Sequence, residues 1–104
     1  MPPYAHFPNL LDAVATIAPD SIISRTIYQD ERMKAIVFGF APGQELSEHT
    51  AARPAILHIL AGEADVTVGG DAWPASAGDW THMQPHLPHS IRAKTQVIML
   101  LLMI

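Results

Sequence analysis

The chain has 104 residues, 49% of them apolar and 15% charged, with a mean hydropathy of +0.17. That suits one compact domain with a modest core and excludes both a disordered segment and a two-domain chain. A net charge of −4 without any basic cluster argues against nucleic acid or an anionic membrane as partner, and the lack of Cys removes disulfides and thiolate chemistry.

Met1 to His6 lacks a charged segment followed by an apolar run, so it does not read as a signal peptide. A cytoplasmic location is the default expectation. Pro8-Asn9 precedes Leu10, Leu11, Val14 and Ile17, and Pro19 stops the pattern, which predicts a short helix over about Asn9 to Ala18. Residues 1–20 are then an arm with a short helix, and 21–104 a barrel. From Ser21 onward the pattern is strands and turns. Ser21 to Gln29 and Met33 to Phe40 are β-branched and aromatic runs, ended by Asp30-Glu31 and by Ala41-Pro42-Gly43. Pro54 to Ala61 is a third run, closed by Gly62. Glu63 to Val68 alternates apolar and polar up to a Gly69-Gly70 turn, and Asp71 to Ala75 returns from it. Trp80 to Met83, Ser90 to Lys94 and Gln96 to Ile104 complete the strands, with Gln84 to Pro88 as a loop. The terminal run, Val97 to Ile104, is too short to span a bilayer and reads as a buried strand. Many short strands with regular turns predict an all-β sandwich or barrel.

Six histidines stand out in so short a chain. Without thiolates, a metal would need imidazole and carboxylate ligands, which suits Zn, Ni, Fe, Mn or Cu.

Two stretches carry a family resemblance. Pro42 to Glu63, PGQELSEHTAARPAILHILAGE, resembles the first motif of the cupins, with Gly43, His49 and Gly62 at the motif's glycine, first histidine and last glycine. Ala77 to Ala93, AGDWTHMQPHLPHSIRA, resembles the second, with Gly78, Asp79, Pro85, Pro88 and His89 in place. The resemblance implies a jelly-roll barrel of the RmlC-like type, a double-stranded β-helix. It also implies a metal held by two motif-one histidines, a Glu or Gln and the motif-two histidine. Here Ala51 stands where the second histidine would be and Ala55 where the acid would be, so only His49 and His89 remain.

Stand-in ligands are His58, on the strand leading to Gly62, and His82, on the strand before the second-motif loop. Strict alternation turns His58 away from the face that position 55 occupies, unless Arg53-Pro54 introduces a bulge. His82 either fills a core place or lines the pocket. His86 and Glu48 read as solvated residues, and Arg53 and Arg92 as surface cations or contacts to an anionic ligand. The candidate pocket is therefore His49, His82, His89 and Arg92, and the candidate metal ligands are His49, His89 and His58. Trp73, Trp80, Tyr28, Phe38 and Phe40 read as core or interface, as do Met33, Met83, Met99 and Met103.

Three functions fit these residues. One is a barrel that binds a small molecule, with His49 and His89 as polar anchors and no tight metal. The alternative is a metal-dependent dioxygenase or isomerase with one divalent transition metal in a histidine-rich site. The third is a scaffold whose interior is filled by side chains. A homodimer is expected, with the apolar terminal strand and Tyr4 to Leu11 meeting a second copy.

Overall fold

The computed structural model describes residues 3–104. Nine antiparallel strands follow one turn of 3₁₀ helix at Leu10–Val14: β1 (Ile22–Gln29), β2 (Lys34–Phe40), β3 (Glu45–His49), β4 (Ala55–Ala61), β5 (Glu63–Val68), β6 (Asp71–Ser76), β7 (Trp80–Met83), β8 (His89–Ala93) and β9 (Val97–Met103). They form a five-stranded sheet in the order β1-β2-β9-β4-β7 and a four-stranded sheet in the order β3-β8-β5-β6. The barrel core lies between them, built from the alternate side chains that period-two strands turn inward. Phe40, Leu57, Ile59, Val66, Ile91, Val97 and Met99 belong to it and are buried.

The chain's last strand sits in the middle of the larger sheet, between β2 and β4. It is apolar on both faces because both faces are covered near its start. Val97 and Met99 point into the barrel, while Ile98 packs outside against Val14 and Val37.

The expected helix shrinks to a 3₁₀ turn. Asn9 caps it, accepting the Leu11 N–H at 3.1 Å, and Asp12 N–H reaches the Asn9 carbonyl at 3.2 Å. Beyond Val14 the chain leaves the turn so that Ile17 can pack on the sheet. Gly39 leaves room for it: a Cβ there would stand 2.7 Å from Ile17 Cδ1. Tertiary packing thus outweighs the weak propensity of a segment too short to hold a helix alone. Ala13, Val14 and Ile17 pack on the chain's own larger sheet. Farther out, Ala5 and Phe7 line an open groove of about 340 Å³ with Ile27, Tyr28 and Met33.

Strand β3 escaped sequence reading because Glu45–His49 has a single apolar residue, Leu46. Pairing with β8 defines it, with a register shift between Leu46 and His49. The β1–β2 turn is tied by Asp30, whose carboxylate accepts from the Arg32 and Met33 N–H groups at 2.8 and 2.9 Å and from the Tyr28 hydroxyl at 2.8 Å. The hydroxyl and these N–H groups hold the Asp30 carboxyl below the usual carboxylate range. Gly43 and Gly62 take positive φ, +82° and +90°, which glycine adopts without steric cost. On the smaller sheet Glu63 and Asp65 face solvent, and Asp65 meets Lys94 at 3.1 Å, an exposed pair that contributes little to stability. No helix among the described residues is long and apolar enough to cross a membrane.

Candidate functional site

His49 ends β3 and His89 begins β8, and the two residues are register partners. Their rings lie edge to face, with centroids 4.1 Å apart. His89 is 3% exposed, a buried polar side chain, whereas His49 is half-buried. The loop before β8 is stiffened by Pro85 and Pro88 and pinned twice by backbone bonds. Gly69 N–H donates to the Pro88 carbonyl at 2.8 Å, and His86 N–H to the Ala51 carbonyl at 2.7 Å. His86 takes a left-handed conformation, φ +67°, to make this turn.

Both imidazoles bind the backbone two residues upstream. His49 Nδ1 lies 3.0 Å from the Ser47 carbonyl, and His89 Nδ1 lies 2.9 Å from the Leu87 carbonyl. A carbonyl oxygen only accepts, so each Nδ1 must carry its proton. In the neutral ring, Nε2 then keeps its lone pair and is free to accept a proton donor or to meet a cation. The main-chain carbonyls of Ser47 and Leu87 thus decide the site's chemistry. No residue-type pattern announces them, because every residue has a carbonyl.

Burial pushes His89 below the ordinary imidazole value near 6.5, the Leu87 carbonyl opposes that shift, and the neighbouring His49 adds to it. The unfolded chain therefore takes up this proton at a higher pH than the folded one. His89's contribution to stability is intact above about pH 6.5 and is lost as pH falls below it. Urea midpoints measured between roughly pH 7.5 and 5 should fall for the wild type and fall less steeply for His89→Leu. Equal slopes would mean that His89 titrates alike in both states.

The surroundings are apolar. Ala55 is 2% exposed and shares the inner face of β4 with Leu57 and Ile59, in the core cluster that also holds Met83 and Leu101. Phe38, Leu46, Leu87 and Met103 pack around that cluster. No carboxylate among the described residues joins the pair. Among the described residues no group of three or more His, Asp or Glu could hold a metal ion.

The remaining candidates fall elsewhere. Strand β4 stays regular through His58, so alternation holds and His58 lies on the outer face, opposite Trp80 and Leu100. It does not join His49 and His89, and its place among their co-ligands is corrected accordingly. His82 is exposed on the same outer face, because Met83 takes the inward place beside it. Arg92 is exposed between the inward Ile91 and Ala93, and it pairs in register with Glu45 and Asp65. Neither His82 nor Arg92 lines the interior. His86 and Glu48 are exposed.

A family model described as the cupin domain matches residues 36–104. The chain belongs to the cupin family. Cupin structures superpose on nearly all of it. A cupin superfamily protein of Desulfitobacterium hafniense is 24% identical, with a TM-score of 0.86 over 97% of this chain and 93% of that one. A conserved protein of Streptococcus pyogenes is 27% identical, with a TM-score of 0.81 over 96% and 90%. A predicted oxalate decarboxylase of Thermotoga maritima is 22% identical, with a TM-score of 0.74 over 80% and 79%. No curated protein matches the chain.

Within this cupin, the donor set does not fit a tightly held metal. Where the cupin resemblance implies a carboxylate and a further imidazole, the chain has Ala55 and Ala51, which leaves two imidazoles. Metal sites normally take three or four protein ligands.

Proposed function

We propose that this cupin binds a small molecule at the end of the barrel where His49 and His89 meet, without needing a tightly held metal. The observation that supports it is the paired tautomer. With both Nδ1 protons given to the Ser47 and Leu87 carbonyls, the neutral rings offer two Nε2 acceptors side by side in an apolar setting. That arrangement suits a ligand with hydroxyl or N–H donors on an apolar body. It disfavours a carboxylate, because two lone pairs repel an anion and the nearby Arg92 faces solvent instead.

Ligand-observed NMR with matched pairs of aromatic alcohols and aromatic acids would test this reading. Alcohols should bind, and His89→Ala should weaken them at least about tenfold, the loss of one buried hydrogen bond. Acids binding more tightly than alcohols would overturn it. Elemental analysis of untagged protein is the complementary measurement. About one equivalent of a transition metal, lost in both His49→Ala and His89→Ala, would replace this reading with a metal-dependent dioxygenase or isomerase built on the same pair.

A further inference from the structure

The outer face of the larger sheet carries a second histidine pair, remote in register from the first. On β4 and β7, His58 stands opposite Trp80 and Ile56 stands opposite His82. The two imidazoles are therefore diagonal neighbours on adjacent strands and on one face, close enough for long side chains to share a ligand. β4 is paired on both sides, and β7, the edge strand, is held by its pairing with β4. No Asp, Glu, Lys or Arg occupies the outward positions of β4, β7 and β9, which are Ile56, His58, Leu60, Trp80, His82, Ile98, Leu100 and Leu102.

Two features of this face are each incomplete. Trp80 is 58% exposed, and Ile56 and Leu102 are only half-buried, so the sheet presents an apolar surface beyond the cluster of Val14, Ile17 and Leu100. The histidine pair supplies two ligands, while a tetrahedral ion of the zinc type takes four. One operation completes both. A two-fold axis through the face brings a second copy's apolar residues onto this surface and a second imidazole pair onto the first. An uncharged face on a chain of net charge −4 finds a matching uncharged face in its own copy.

We propose that His58 and His82 form half of a divalent transition-metal site, completed by the same pair of a second copy. The ion is a borderline one of the zinc class, bound by four imidazole nitrogens, and it clasps two barrels back to back. The site lies outside the barrel and is independent of His49 and His89. Metal found in the purified protein then reports on a subunit contact rather than on the barrel interior.

Sedimentation velocity of the untagged full chain, with EDTA or with half an equivalent of zinc chloride per chain, decides it. Zinc should lower the dimer dissociation constant at least tenfold, with one zinc bound per two chains. The effect should persist in a His49→Ala/His89→Ala variant and vanish in His58→Ala and in His82→Ala. His82 is exposed, so its replacement leaves the fold intact and keeps the test clean should His58→Ala prove unstable. Burial of Trp80 should also shift tryptophan emission to the blue on zinc addition, and Trp80→Phe should abolish that shift. Association that ignores zinc would overturn the proposal. So would one zinc per chain without association, or a zinc effect that survives His82→Ala.

Discussion

Replacing Ala55 by Glu should destabilise the protein by about 3 kcal/mol, because an unpaired carboxyl would enter the barrel core beside Leu57 and Ile59. For a domain of this size that is a fall in Tm of roughly 15 °C. The same carboxyl, with its Glu pKa raised by burial, would make the loss greater as pH rises above about 4.3. Combining it with Ala51→His should convert the defect into a metal dependence. His49, His89, the new histidine and the new carboxylate make a four-donor set, and binding by the folded state alone stabilises it in proportion to metal concentration. Thermal melts of the double variant with and without zinc or nickel would check this, with recovery of most of the lost Tm expected. An unchanged Tm for Ala55→Glu would show that position 55 does not face the interior. No rescue in the double variant would show that His49 and His89 are not placed to share an ion.

Gly62→Ala should cost about 3 kcal/mol, and for a different reason. Gly62 has φ +90°, and a Cβ there would collide with the Gln96 carbonyl oxygen. The obstacle is backbone, not the movable end of a side chain. The clash falls where β4 turns into β5, beside the Thr95–Gln96 approach to β9, so relief must shift one of two central connections. Gly43→Ala provides the control. It shares the positive φ but has no atom within 4 Å of a Cβ, so it should cost only about 1 kcal/mol from strain. Urea denaturation of the two variants would separate the terms. Equal losses would mean that strain alone accounts for Gly62.

The strands that were legible in the sequence are those whose apolar alternation is strong. Glu63–Val68 and Trp80–Met83 have the expected bounds, and β2 starts at Lys34, one residue inside the expected run. These segments announce themselves because one face of each must be buried, and period two is the only way a strand can do that. Strand β3 was illegible because Glu45, Ser47 and Glu48 are exposed, so its pairing with β8 leaves little trace in composition. The N-terminal helix was misjudged because spacing cannot show that Ile17 has a seat waiting over Gly39.

By itself, then, the sequence determined the barrel and the turns at Gly43 and Gly62, and its resemblance to the cupins implied that His49 and His89 share a site. Those features depend on residue identity at fixed spacing, which the chain displays directly. Only the tertiary structure decided where His58, His82 and Arg92 stand. Arg53-Pro54 left open a bulge that would have reversed the parity of β4, and a single-residue slip moves every side chain of a strand to its other face. The register of β4, unbroken from Ala55 to His58 against β7 and from Ala55 to Ile59 against β9, settles that parity, because turning Leu57 and Ile59 out of the core would cost far more than exposing two imidazoles.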